Sequence, residues 1–388
     1  MLGPMTQVFT GAAIVTDGAL RRADLLVDRG RIAGIDVTPT RTDTRPSVEV
    51  IDCGGYVISP GFIDLQCNGA VGLDVTTDPT SVDMVAEALP RFGVTSFLPT
   101  VVTSPTPARR AAIEALLELR RRDPGSGADA IGLHFEGPMI SRQHLGAHVP
   151  AHVATLDLRE VDEWIASEAV ALVTLAPELP GALDAVGRLA SGGIVVSGGH
   201  TAMTPDDLAA ARSAGLSYAT HLFNAMAPFN HRSPGPVGAV LADDTVVAGI
   251  ICDGIHVDPI AVRMAWHALG AQRTSLVSDA SPALGMPYGR MHLAGFEIIH
   301  DETGVRTVDG VLAGSALALD QAVRNLIAFT GCTLADALAT VTTTPADLLG
   351  LTDRGRLRVG SRADLTILDG DANLVATIVG GTLAHGHV

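Results

Sequence analysis

Between residues 57 and 281 the chain repeats one pattern, an apolar stretch of strand length followed by a segment with helical spacing. Eight such stretches occur: "VISPGFIDLQ", "VTSFLPTVV", "AIGLHFEG", "AVALVTLAPE", "GIVVSGGHT", "LSYATHLFNA", "VVAGIICDGIHV" and "TSLVSDAS". Near-continuous apolar runs mark strands buried on both faces of a parallel sheet, and alternation with helices makes each a β/α unit. The helices carry their own start signals. Thr204-Pro205-Asp206-Asp207 supplies a cap residue, then proline at the first helical position, then acids at the positive end of the helix dipole. "SPTPARRAAIEALLELRRR" reads as another helix. Eight units are the number that closes a barrel, and barrel active sites lie at the C-terminal ends of the strands.

A barrel of this kind takes roughly 250 residues, and the chain has 388. The surplus lies at both ends and reads as short strands: "QVFTGAAIVT", "RADLLVDRGRIAGI" and "VEVIDCGGYVI" at the start, "SRADLTILDG" and "LVATIVGGTLAHG" at the finish. The expected fold is α/β, a (β/α)8 TIM-like barrel over residues 59–355. A small β-sandwich domain built from both chain termini, residues 1–58 and 356–388, accompanies it.

The charge of −16 argues against nucleic acid or an anionic membrane as partner. No apolar run is long enough to span a bilayer. The first residues lack a charged segment followed by an apolar one, so no signal peptide is expected. Four cysteines, Cys53, Cys67, Cys252 and Cys332, lack short metal-type spacing and read as free thiols of a cytoplasmic protein. All 26 basic residues are arginine. Without lysine there is no Schiff base, no Walker-type phosphate lysine and no carbamylated bridge between metals, which disfavours dihydroorotase- or urease-like chemistry.

Ionisable and amide side chains collect where the strand candidates end: Asp64, Gln66 and Asn68, then Glu136, His200, His221, His256 and Asp279. Glu136, His200 and His221 form a His2Glu set with the long spacings of ligands on separate strands, and a catalytic zinc takes three such ligands while leaving a position for water. Asp279 is placed to take a proton from that water and return it to a leaving group. A turn or cap aspartate is the plain alternative. His134 shares a strand face with Glu136 and reads as a core histidine bonded to a neighbouring strand. His144, His152, His267, His292, His300, His385 and His387 read as surface or loop residues. In "FNAMAPFNHRSPG", Asn224, His231 and Arg232 could hold an anion. A turn rich in proline and glycine explains that segment equally well.

Taken together, "PGFIDLQCNG", "GLHFEGPMIS" with "GAH", "SGGHT", "ATHLFNAM", "GIICDGIHVD", "LVSDA", "LAGSALALDQAVRNL" and "GRLRVGSRADLTIL" resemble the amidohydrolase superfamily. Within it they are similar to the N-acetylglucosamine-6-phosphate deacetylase family. The resemblance implies metal-dependent hydrolysis of an acetamide on a sugar phosphate, giving glucosamine 6-phosphate and acetate. It implies Glu136, His200 and His221 as ligands of one divalent ion per subunit, zinc first, with iron, cobalt, manganese or cadmium as alternatives. Asp279 would be general base and then acid, and His148 would bind the acyl oxygen. Asn224, the backbone at Ala225 and His256 would hold the sugar phosphate, and the segment Ala313-Gly314-Ser315 would help line the sugar pocket. Arg232 would reach the phosphate of a neighbouring subunit, so a homodimer is expected.

Many amidohydrolases place His-x-His where this chain has Gln66-x-Asn68, and bind a second metal there. Gln-x-Asn resembles the single-metal branch. Gln66 and Asn68 are then expected to hold water or substrate in the vacant subsite, with Asp64 a structural hydrogen-bond partner. Cys67 and Cys252 read as small buried apolar residues near the site. Two other readings stay open: deacetylation of N-acetylgalactosamine 6-phosphate or another N-acyl amino sugar, and an inactive sugar-phosphate-binding regulator. A nucleobase deaminase is disfavoured by the phosphate-loop match.

Overall fold

The computed structural model describes residues 6–16, 18–36, 48–122, 125 and 127–388. Its centre is a ring of eight parallel strands. They are β1 (Phe62–Cys67), β2 (Val94–Val102), β3 (Leu133–Glu136), β4 (Val170–Leu175), β5 (Val195–Gly198), β6 (Leu216–Ala219), β7 (Val247–Ile250) and β8 (Thr274–Leu276). Each pairs with the next in parallel register from β1 to β8. Each is followed by a helix: α1 (Val82–Ala88), α2 (Thr106–Arg121), α3 (Leu158–Ser167), α4 (Ala182–Ser191), α5 (Pro205–Ala214), α6 (Gly235–Ala242), α7 (Pro259–Arg273) and α8 (Leu319–Thr330). The start signal read at Thr204 is a full capping box. Its hydroxyl takes the Asp207 N–H, and the Asp207 carboxylate takes the Thr204 N–H.

β2 is buried along its whole length and carries Pro99. Proline cannot donate to a ladder, and the register against β1 shifts between Phe97 and Pro99. The Thr100 hydroxyl compensates by accepting the Cys67 N–H at 3.0 Å.

The seam between β8 and β1 is the weak point of the ring. No ladder closes it; a single parallel bridge joins Cys67 to Ala280. The N–H groups of Asn68 and Gly69 both reach the Ala280 carbonyl, at 2.8 and 3.1 Å. Deeper in the seam, one buried side chain replaces the missing ladder. Asp64 on β1 accepts the Ser278 N–H at 3.2 Å and the Ser278 hydroxyl at 2.5 Å.

Strands from both ends of the chain form two further sheets. Thr6–Thr10, Leu25–Asp28, Arg31–Ile35 and Val48–Asp52 make one. Ala13–Thr16, Ala19–Arg22, Val57–Pro60, Leu365–Leu368, Leu374–Val379 and Thr382–Gly386 make the other. Phe9, Ile14, Leu25, Ile32, Ile58, Leu365, Ile367 and Ile378 are packed in their common core.

"VISPGFIDLQ", read as one strand, is two. Val57–Pro60 belongs to a terminal sheet and Phe62–Cys67 to the barrel. The break falls at Gly61, where a Cβ would stand 2.1 Å from the Thr95 hydroxyl oxygen. The chain passes β2 there only because the side chain is absent.

A three-stranded antiparallel meander, Gly289–Leu293, Phe296–Asp301 and Gly304–Thr307, follows β8 and is an addition to the sequence reading. Leu293, Ile298 and Val305 pack with Ala283 and Ala313 into a small core of its own.

Candidate active site

A cleft of about 220 Å³ opens at the C-terminal ends of the barrel strands. Asn68, Glu136, His148, His200, His221, Asn224, Ala225, His256, Asp279 and Gly314 line it. Glu136 is the last residue of β3, whereas His200, His221 and Asp279 lie two or three residues beyond β5, β6 and β8. These three stand on left-handed backbone, with φ of 48°, 26° and 47°. Such backbone is uncommon outside glycine and concentrates at functional sites.

One carboxylate oxygen is the hub. Glu136 Oε1 lies 2.8 Å from His221 Nε2 and 3.1 Å from His200 Nε2, and those two nitrogens are 3.1 Å apart. The tautomer of His200 follows from its other nitrogen. Nδ1 is 2.9 Å from the His144 carbonyl, which can only accept, so Nδ1 carries the proton and Nε2 presents a lone pair. A carboxylate and imidazole lone pairs converging this closely need a positive charge between them. An outer hydrogen bond that fixes the ring in this way is the usual support of a metal-binding histidine. The donor set therefore fits a divalent cation. Ligand atoms of Glu136, His148 and His200 also lie within 4.8 Å of one another.

The titration of the site follows from its burial. The Glu136 carboxyl is held well below the usual carboxylate range. Burial alone would raise it, and the close His148, His200 and His221 rings outweigh that. His221 is raised, because the Glu136 carboxylate beside it overcomes the burial that would lower it. Asp279 is pushed up to about 6 by burial and by the charge of Glu136, partly offset by His221, His256 and Asn68. His148 is pulled down to about 4 by burial and by His200, so its ring is neutral near pH 7. His148 Nδ1 lies 2.8 Å from the Thr103 hydroxyl, which can donate or accept, and 3.4 Å from the Thr103 N–H, which can only donate. With that nitrogen accepting, the ring proton sits on Nε2, 3.5 Å from Glu136 Oε2. His148 is thereby a neutral hydrogen-bond donor facing the cleft.

The amide pair at the end of β1 does not stand free. Gln66 Nε2 donates to Glu136 Oε1 at 3.1 Å, while Gln66 Oε1 accepts the Thr220 hydroxyl at 2.5 Å. Asn68 Nδ2 donates to Asp279 Oδ1 at 2.7 Å. Each amide bonds a site carboxylate, and Gln66, expected to hold water or substrate, has both ends taken by protein partners. The reason is proximity: neutral donors opposite buried carboxylates form the charge-assisted bond first.

Other expected residues divide. His256 lines the cleft, with Nδ1 2.6 Å from Asp253 Oδ2. Gly314 lines it, but Ala313 is buried in the meander's core. Ser315 is also buried off the cleft, its N–H on the Asp279 carbonyl at 2.7 Å and its hydroxyl on the Ser278 carbonyl at 2.5 Å. It braces the Asp279 backbone. Arg232 is exposed and does not line the cleft. His134 is buried between Thr174, at 2.8 Å, and Thr100, at 3.4 Å. Cys67 and Cys252 are buried free thiols.

Sequence reasoning missed Thr103, Thr220, His144 and Asp253, and the apolar wall of Leu293, Val311 and Leu312. Asp253 and His256 are three apart in a quoted motif and could have been paired. The meander also had a signal, since "GRMHLAGFEIIHDETGVRTVDG" has turn residues between strand-like runs. The hydroxyls had none.

Residues 57–384 match the amidohydrolase family, and the chain belongs to it. Members of that family typically bind a divalent metal. Within the family, its relatives are amino-sugar-phosphate deacetylases. The chain is 39% identical to the N-acetylglucosamine-6-phosphate deacetylase of Homo sapiens over 97% of this chain and 94% of that protein. It is 36% identical to the N-acetylgalactosamine-6-phosphate deacetylase of Escherichia coli O157:H7, over 98% and 100% respectively. The crystal structure of N-acetylglucosamine-6-phosphate deacetylase from Pasteurella multocida superposes with a TM-score of 0.91 at 30% identity, covering 97% of this chain and 99% of that one. A mutant of the Mycobacterium smegmatis enzyme, solved in complex with N-acetyl-D-glucosamine-6-phosphate, gives 0.88 at 30% identity, covering 98% and 99%.

Proposed function

We propose that the protein hydrolyses the acetamide of N-acetyl-D-glucosamine 6-phosphate to D-glucosamine 6-phosphate and acetate, in amino-sugar catabolism. The observation that carries this is the convergence of Glu136, His148, His200, His221 and Asp279 on one cleft, in a chain whose relatives have that activity. Glu136, His200 and His221 would hold one divalent ion, zinc by its preference for such N and O ligands. When bound, that ion supplies Lewis-acid polarisation and lowers the pKa of water. His148 donates its Nε2–H to the acyl oxygen as negative charge develops there. Asp279, backed by the Asn68 N–H, takes a proton from the attacking water and then gives it to the departing nitrogen. His256 and Asn224 face the sugar phosphate.

A phosphate needs cations, yet among the described residues lining the cleft there is no arginine. The exposed Arg232 loop, with Phe229 55% exposed beside it, supports a homodimer in which the partner subunit's Arg232 completes each site. That the substrate is a charged metabolite supports a cytoplasmic enzyme. Among the described residues, no helix is long and apolar enough to cross a membrane.

The test is release of free amine and acetate from N-acetylglucosamine 6-phosphate, from its galactosamine epimer and from unphosphorylated N-acetylglucosamine. The highest kcat/KM is expected on the first. No turnover of either phosphosugar by metal-loaded protein overturns the proposal, and preference for the epimer would shift the substrate. Mixing Arg232→Ala with Asp279→Asn protein should restore activity in mixed dimers. Absence of restoration, with mixed dimers formed, removes Arg232 from the neighbour's site.

A further inference from the structure

We infer that Asn68 is a catalytic residue: its Nδ2 fixes Asp279 while its Oδ1 accepts a hydrogen bond from the attacking water. The inference rests on the deacetylase reading above and adds a participant to it.

Asn68 follows β1 directly, is 2% exposed and lines the cleft beside Asp279. Its backbone is pinned across the seam by the N–H bond to the Ala280 carbonyl at 2.8 Å. The Asp279 carboxylate can only accept from it, so Nδ2 is the atom at 2.7 Å. The remaining side-chain atom is therefore the carbonyl oxygen. That Oδ1 is buried and has no hydrogen-bond partner among the described residues. A buried acceptor without a donor is costly, and folded proteins rarely keep one without a reason.

Gln66 shows the contrast. Its Nε2 is on Glu136 and its Oε1 takes the Thr220 hydroxyl, so both ends of that amide are spent on protein partners. Of the two amides, only Asn68, which lines the cleft, keeps an acceptor without a described partner. The reacting water has two protons and Asp279 can take only one of them. A second acceptor bonded to the same carboxylate receives the other and turns a water lone pair toward the acyl carbon. The C–O bond forms and the C–N bond breaks. The abstracted proton passes through Asp279 to the nitrogen, and Asn68 ends the cycle unchanged.

The experiment compares the metal-loaded parent enzyme with Asn68→Leu and Asn68→Asp on N-acetylglucosamine 6-phosphate. Asn68→Leu keeps the shape without either polar atom. Its kcat should fall by about 10²- to 10³-fold, the usual loss for one transition-state hydrogen bond. KM, and calorimetric binding of glucosamine 6-phosphate, should be nearly unchanged. In Asn68→Asp a protonated carboxyl offers O–H and C=O where the amide offered N–H and C=O. Its kcat relative to the parent's should therefore rise as pH falls, while the Asn68→Leu ratio stays flat. Near-parental kcat in Asn68→Leu, a loss confined to KM, or no acid recovery of Asn68→Asp overturns the inference. Should Asn68→Leu fail to fold, the Asn68→Asp ratio decides. An inactive parent enzyme would instead sink the deacetylase reading itself.

Discussion

Asp64→Asn should stabilise the protein at about pH 8 relative to its effect at about pH 4. Asp64 is buried in the barrel seam, where Oδ1 accepts the Gln66 and Ser278 N–H groups, both at 3.2 Å, and Oδ2 takes the Ser278 hydroxyl. Burial raises its pKa to about 6, overcoming those hydrogen bonds, and the charge of Asp279 adds to the rise. In the unfolded chain an aspartate titrates at about 3.9. Between these two values the folded state holds a proton that the unfolded state has released. Stability from this group is thus complete below the lower value and falls as pH rises to the upper one. At about 1.4 kcal/mol per pKa unit, the loss levels off near 3 kcal/mol. Asparagine has no such titration. Its Oδ1 keeps both backbone bonds, and its Nδ2 faces Ser278 Oγ, which can turn its proton to the Gln66 carbonyl 3.1 Å away. Asp64→Ala is the control: it orphans two buried N–H groups, at a cost of about 2–6 kcal/mol. The assay is thermal unfolding of parent and variant at both pH values, read as the difference between them. A difference that does not change with pH refutes the reasoning.

Three other outcomes are expected. Gly314→Ala places a Cβ 2.9 Å from the Asp279 carbonyl oxygen at a φ of +61°, so kcat should drop with a modest loss of melting temperature. Parental kcat there would show that the Asp279 segment gives way freely. Thr220→Val removes the donor to Gln66 Oε1 and should cost about 1–3 kcal/mol of stability, with a lower kcat as Glu136 loses its fixed partner; unchanged thermal unfolding would count against the bond. Dialysis against a chelator should abolish hydrolysis and lower the melting temperature, and a divalent ion should restore both. Retained activity at metal-free stoichiometry would defeat the His2Glu assignment.

The barrel was legible because its signal is redundant. The strands read as mostly apolar runs, and several helices have a capping side chain, as at Asp157, Thr204 and Asp258. What failed to show was decided by neighbours far along the chain. Gly61 breaks a continuous apolar run because Thr95 stands behind it. Ser315 braces Asp279 because the chain returns past the seam after the meander. The ends of the strands were legible in residue type but not in backbone: His200, His221 and Asp279 lie past the ladders on left-handed backbone, which His and Asp adopt more often than most residues but which no local pattern marks here.

The amide pair shows why partners are harder to read than residue types. Gln66 on β1 and Asn68 just past its end are two apart and chemically near-identical, so the sequence treats them alike. The fold separates them by a single hydroxyl. Thr220 reaches the Gln66 carbonyl, and no described residue reaches that of Asn68. Both donate to carboxylates, Glu136 and Asp279, that face the same cleft. A cationic donor at either place would change the charge of the site. A second metal would also change it, and would consume the oxygens that now bond the amides. An amide ties each carboxylate down and leaves its charge intact. Gln66 and Asn68 bond the Glu136 and Asp279 oxygens that a second ion would need, which supports the one-ion site proposed above, and Asn68 keeps an acceptor without a described partner.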